Sequence, residues 1–325
     1  MPLSAGWATG SARTNTTEAK FIPELWSDDI IAGYKSNLVV GNLVSKISHV
    51  GQKGSVIHIP KPTRSVASAK TAEAQVTLTS NTAGEVTITI DQHYEYSTLI
   101  EDITAIQALD TMRQFHTNDA SYALARQVDW ALHLRGTGFQ GGTYNAVALA
   151  GNPTYDKAVI GSDGVTAWDP SASSSAGNAA NLADAGIRKM IQTLDEADVP
   201  QDNRYLVVPP SQRNVLMGID RFTENQFVGE MGGANTIRNG KIGDIYGVQV
   251  FVSTNCPKVL ADDSTDDQYA CMLFHRDAIV FAEQMGVRTQ TQYKQEYLAD
   301  LFTADTLYGT AELRDDAGIV AIVPA

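Results

Sequence analysis

Residues 111–136, TMRQFHTNDASYALARQVDWALHLRG, contain no proline and no glycine before the last position. Ala120, Leu124, Val128 and Ala131 recur at spacings of four, four and three; Leu134 carries the stripe forward, and Met112 and Phe115 carry it back. This is helix period. About 24 helical residues at ~1.5 Å each make a rod of roughly 36 Å, far longer than the usual ~11–12 residues. Asp110 or Thr111 suits the start as a cap, and Gly136 suits the end. Asn118, Asp119 and Gln127 interrupt the apolar positions and give the rod a wet side. Such a rod is either the long core helix of a soluble enzyme or a strut along which a sheet packs. The flanking sequence decides between the two.

The chain has 325 residues, enough for a real core and two domains. Charged residues are 19%, below the typical ~25%. Thr, Ser, Ala and Gly fill the difference, which suits a large enzyme or a chain that buries surface against copies of itself. The formal net charge of -13 makes the chain a poor candidate for wrapping nucleic acid. That charge is uneven. Residues 1–70 hold eight Lys and Arg against four Asp and Glu, net +4, which leaves -17 for the rest. A basic leading segment beside an acidic body suggests contact with another copy. Cys256 and Cys271 are the only cysteines, too few for a disulfide framework, and read as buried thiols. The first twenty residues have no signal-peptide core and no run approaches 18 apolar residues, so the chain reads as intracellular and soluble.

Residues 1–20 are rich in Ser, Thr, Ala and Gly without period and read as a flexible or extended arm. A short helix is expected at 23–35, with mixed extended structure after it. GSVIHIP (54–60) and EVTITI (85–90), the latter leading to Tyr94, Tyr96 and Leu99, are β-branched strands. The connector between them is long, polar and nearly without core residues. Hairpins ordinarily need two to five loop residues, so it reads either as a mobile surface loop or, on the β-like return arm at Val76 and Leu78, as a projecting two-stranded flap that wants a partner surface. After the rod, 137–177 is glycine-punctuated loop with strand fragments. Asn178–Glu196 reads as a second helix, RYLVV (204–208) as a central strand, and PPSQRNVLMG as a helix with Pro at its start. This order is an α/β unit. Residues 223–240 are glycine-rich, Val248, Val250 and Val252 alternate as a strand, and Asp262–Asp267 lie in an acidic turn. ACMLF (270–274) is a buried strand. DAIVFAEQM suits helix or strand, Leu298–Tyr308 supports some helix, and GIVAIVP closes the chain as a strand.

The chain carries few residue patterns that point to chemistry. There is no dinucleotide or phosphate-loop motif and no nucleophile elbow. His49, His58, His93, His116, His133 and His275 show no metal-ligand spacing. His116 and His133 share the rod but stand about 25 Å apart along it. The four aspartates of the acidic turn lack calcium-loop spacing. No catalytic, cofactor-binding or metal residue is assigned. The unusual parts of the chain, arm, flap and strut, are assembly features.

Taken together, GSVIHIPKPTR, EVTITIDQHYEYSTLIEDI, the rod, RYLVVPPSQRNVLM, GDIYGVQVFVSTNCP and DLFTADTLYGTAELRDDAGIVAI resemble the major capsid proteins of tailed bacteriophages with the Hong Kong 97 type fold. The likeness is closest to short-tailed, T-seven-like phages, including cyanophages, and spans about residues 20–325. It implies an α+β fold in five parts. Residues 1–50 would be an N-terminal arm, 51–92 an extended loop with its flanking strands, and 93–174 a peripheral domain with the spine helix at 111–136. Residues 175–268 would be an axial domain, and 269–325 a return to the peripheral domain. The resemblance further implies a non-enzymatic virion protein, without cofactor or membrane contact, assembled in a bacterial cytoplasm. It would form hexamers and pentamers of itself in an icosahedral shell that encloses double-stranded DNA without sequence-specific binding. A large leading scaffolding domain has no counterpart, which implies a separate scaffolding protein beside a portal and a decoration protein. An encapsulin-like compartment and a soluble α/β enzyme are the alternatives.

Overall fold

The computed structural model describes residues 12–14, 38–61, isolated positions between 67 and 75, 84–101, 111–141, 144–145, 154–155, 179–219, 243–259 and 268–324. Residues 1–37 apart from 12–14, with the helix expected at 23–35, the body of the flap, most of 137–177, the run 223–240 and the acidic turn lie outside the described residues.

In chain order the elements begin with strands β1 (Ala12–Thr14), β2 (Ser45–Ser48), β3 (Val56–Lys61), β4 (Gly84–Thr89) and β5 (Gln92–Glu101). Helix α1 follows (Thr111–Gly136), then the short strands β6 (Tyr144–Asn145) and β7 (Thr154–Tyr155). Next come α2 (Asp184–Glu196), β8 (Arg204–Val208), α3 (Pro210–Met217), β9 (Asp244–Ile245), β10 (Val248–Val252) and β11 (Lys258–Val259). The chain closes with β12 (Gln268–His275), β13 (Ile279–Lys294), β14 (Ala299–Glu312) and β15 (Gly318–Pro324).

Two sheets organise these elements. The first has the order β1-β5-β14-β13-β2. Its three central strands are antiparallel, and both outer strands pair in parallel, β1 with β5 and β2 with β13. The second has the order β9-β10-β8-β12-β11, with β15 also paired to β12. The helix α1 lies on the first sheet. Its Asp119 carboxylate accepts from the Tyr96 hydroxyl at 2.9 Å, and Phe281, Phe302, Ala304 and Tyr308 from the sheet are buried in the same core. At its end α1 meets the second sheet: a Cβ on Gly136 would lie 2.6 Å from Met272 Sδ. On that sheet α2 buries Ile187, Met190 and Leu194.

The rod spans the predicted residues, but its buried face is wider than the apolar stripe. Leu134 is exposed, and the side chains of Met112 and Phe115 lie outside the described residues. His116, Thr117, Ser121, Asp129 and His133 are buried beside Ala120, Leu124, Val128 and Leu132. A helix covered from several sides buries polar residues too, provided they find partners. The second helix begins at Asp184 and not at Asn178. The Leu182 N–H donates to the Gln212 Oε1 at 2.8 Å, which holds that segment against α3 and out of helical geometry. Of Leu298–Tyr308, expected to hold some helix, the run Ala299–Tyr308 is strand, with Leu298 in the turn before it. The run pairs on both sides, with β5 and with β13, and tertiary pairing overrides local preference. β12 and β15 belong with β8 in the second sheet, and only β13 and β14 return to the first.

Candidate functional site

The joints between these elements are built from single polar side chains. Asp129 sits in an apolar stretch of α1 and is 1% exposed. Its Oδ2 accepts the Val39 N–H at 2.7 Å and its Oδ1 accepts the Gly41 N–H at 3.0 Å. The Asn42 side-chain amide donates to the Leu38 carbonyl at 2.7 Å and closes the same turn. Burial pushes the Asp129 carboxyl up. The N–H groups of Val39, Gly41 and Val40 and the charge of Lys46 oppose that without cancelling it. The acid fixes the segment before β2 onto the rod.

On the sheet face away from α1 lies the two-stranded stem β3–β4, in register from Val56 opposite Thr89 to Lys61 opposite Gly84. Ile88 and Ile90 are buried with Val280 and Ala282, and Ile57, Ile59, Leu307 and Ala311 pack around them. The stem crosses β14 at Gly309, where a Cβ would lie 2.5 Å from the Thr89 carbonyl oxygen. Only a residue without a side chain admits that approach. Beside the stem, Gln284 donates to the carbonyls of Gln52 at 3.0 Å and Gly54 at 2.9 Å. Farther along this face Arg288 clasps Asp305 in a fork, Nε to Oδ1 at 3.1 Å and Nη2 to Oδ2 at 2.7 Å. His93 Nε2 lies 3.2 Å from the same Oδ2. Burial raises the Asp305 carboxyl, but the bonds from Arg288 and His93 outweigh it and hold the group below the usual carboxylate range. This fork ties three neighbouring strands together where β13 shifts register between Glu283 and Arg288.

Two further joints involve the second sheet. His133 of α1 is fully buried, its Nε2 3.2 Å from the Ser253 Oγ just beyond β10. Burial pushes its imidazole down to about 3, so it stays neutral. Arg204 of β8 is buried and donates to the carbonyls of Val199 and Pro200 and to the Asp195 carboxylate, at 2.6, 2.8 and 2.7 Å. That links β8 to the end of α2.

The histidines do not converge. His58 faces Glu85 on the stem, His93 faces Asp305, His133 faces Ser253, and His275 accepts from the Asp277 N–H. Among the described residues no group of three or more His, Cys, Asp or Glu could hold a metal ion, and no helix is long and apolar enough to cross a membrane. Burial pushes the Cys256 thiol up to about 12 and the Cys271 thiol well up, conditions that suppress a nucleophile. Asp129, Asp305 with Arg288, and Arg204 are the structural keys that residue patterns did not single out. Asp129 carried a signal, an acid flanked by Val128 and Trp130 inside an apolar helix. Asp305 and Arg288 carried none, since their meeting depends on a strand register shift.

A model of the family described as "Phage capsid protein" matches residues 41–323. No curated protein sequence matches. Among solved structures, the capsid of the cyanophage P-SCSP1u is similar with a TM-score of 0.63 at 16% identity, covering 88% of each chain. A chain from Mycobacterium phage Che8 gives 0.60 at 22% identity, covering 87% of this chain and 90% of its own. The capsid of Ralstonia phage GP4 gives 0.60 at 13% identity, covering 87% of each chain. With a family match over most of its length and a mixed α+β capsid fold to agree with it, the chain belongs to the phage capsid protein family: a structural, self-assembling shell protein of the Hong Kong 97 type, and not an enzyme.

Proposed function

We propose that this chain is the major capsid protein of a tailed phage, forming hexamers and pentamers of itself that close an icosahedral shell around packaged double-stranded DNA. In this reading α1 is the spine helix of a peripheral domain and the second sheet is the core of an axial domain. The segment beyond the β3–β4 stem is the extended loop, reaching over a neighbouring subunit. The leading residues are the arm. The partners are further copies, a separate scaffolding protein, a portal and a decoration protein. The shell assembles in the host bacterial cytoplasm and contacts DNA without reading its sequence. Kinship with short-tailed, T-seven-like phages is part of the reading and rests on the residue runs alone, since phages of several kinds share the fold.

The observation that carries the reading is the family match over residues 41–323, joined to a stem seated on the sheet face opposite the rod. A stem anchored there is a fixed base for a loop that leaves the body. Many weak contacts repeated on a closed shell sum to high stability without high affinity per contact. The test is deletion of residues 65–80 with co-expressed scaffolding protein, followed by electron microscopy. Loss of closed particles, or particles that open at lower temperature, is expected. Closed shells of unchanged stability overturn the role of the loop, and a chain that stays monomeric to tetrameric even with residues 65–80 intact overturns the shell.

A further inference from the structure

The only two cysteines of the chain, Cys256 and Cys271, are both buried and unbridged. Their relation follows from the backbone ladder. Lys258 lies opposite Tyr269 and Val259 opposite Gln268 in the antiparallel pair β11–β12. Carried back in register, this sets Pro257 opposite Ala270 and Cys256 opposite Cys271. The ladder does extend that way, because the Ala270 N–H donates to the Pro257 carbonyl at 3.0 Å. Backbone polar groups alternate sides along a strand. Ala270 turns its own toward Pro257, so Cys271 turns its own the other way, toward its partner Ala321 on β15. Toward Cys256 it is therefore in a non-hydrogen-bonded position. Such positions bring Cα atoms to about 4.5 Å, with the side chains closest. Disulfides span Cα separations of about 4.4–6.8 Å. Opposed residues of a ladder also put their side chains on the same face.

We propose that Cys256 and Cys271 form a latent cross-strand disulfide, a modification site in the second sheet that oxidation closes without a change of strand register. The two thiols give up two protons and two electrons as the S–S bond forms. The acceptor is a small two-electron oxidant; with diamide, the N=N bond takes up both electrons and both protons. A reducing cytosol keeps the pair as thiols, and an oxidising medium outside the cell favours the bridge. Closure costs the Cys256 Sγ its 3.4 Å contact with the Ser253 carbonyl. Burial, which keeps both thiols protonated, makes the step slow, so it proceeds when the strands breathe. The bridge staples the segment after β10 to the central strand β12.

The test uses the full chain, treated with diamide at mildly alkaline pH and warmed to just below its thermal midpoint, so that access does not limit the outcome. After unfolding in urea, N-ethylmaleimide should add to neither cysteine, the intact mass should fall by two hydrogens, and an unreduced peptide map should show one fragment pair joined at Cys256 and Cys271. The thermal midpoint should rise by several degrees over the reduced chain. Cys256→Ser should keep one maleimide-reactive thiol and show no rise. Two reactive thiols in the warmed, oxidised wild type overturn the proposal, and so do bridges that join different chains.

Discussion

Cutting Asp129 back to alanine would leave the buried N–H groups of Val39 and Gly41 facing empty space. Buried donors without acceptors cost about 1–3 kcal/mol each. Asp129→Ala should therefore lower stability by roughly 2–4 kcal/mol, read as a lower urea midpoint with an unchanged slope. Asp129→Asn keeps one acceptor oxygen and should lose less. Half-buried Glu312 and buried His133 set the pH response with opposite signs. Burial, with Asp315 close by, pushes the Glu312 carboxyl up to about 7 against the pull of Lys61 and Arg135. A raised pKa gives stability that is full below the ordinary value of 4.5 and is lost as pH rises through about 7. His133 is depressed from 6.5 to about 3, so its contribution is full above 6.5 and is lost as pH falls toward 3. Thermal midpoints across this range should show Glu312→Gln flattening the decline between pH 4.5 and about 7, and His133→Gln flattening the loss as pH falls from 6.5 toward 3. Two variants that both track the wild-type curve would refute the assignment.

At the scale of elements, the stem β3–β4 depends on Gly309. Gly309→Ala forces the Thr89 carbonyl away from β14 and should cost about 1–3 kcal/mol as an overpacked contact. Hydrogen exchange should speed up at the amides of residues 84–90 and stay unchanged along α1; equal protection in both proteins would count against the crossing. Elements with strong local period were legible in the sequence: the rod, the stem strands, RYLVV and the proline-started helix after it. What could not be read there depends on pairing across distance. Ala299–Tyr308 mixes Ala, Leu and Thr, and only its two flanking strands make it β. GIVAIVP is plainly a strand, yet nothing local says that it joins β12 and leaves β13 and β14 behind. The start of α2 is set by a glutamine thirty residues away, Gln212. The joints were less legible than the elements, because Asp305 meets Arg288 through a register shift that no spacing announces.

For the whole molecule, low charge density and a net charge of -13 fit a chain that meets copies of itself more than it meets nucleic acid. If the assembled shell encloses DNA as proposed, DNA should associate with it weakly and with little salt dependence in a filter-binding series from low to moderate salt. A steep loss of binding with salt would mean that Lys and Arg grip the phosphates after all. The parallel outer strands of the first sheet have a consequence of another kind, one of timing. Ser45 pairs with Val280, and Ala12 with Leu99, so both edges are sealed by chain made much earlier than the strands they seal. At synthesis rates of about 5–20 residues per second, Ser45 waits on the order of ten to fifty seconds for its partner. For that interval the segment around β2 is finished but homeless, and the sheet cannot close its edge before β13 has left the ribosome. Closure of this edge thus waits on β13, and the moment at which it becomes safe from edge-to-edge aggregation comes long after β2 is made.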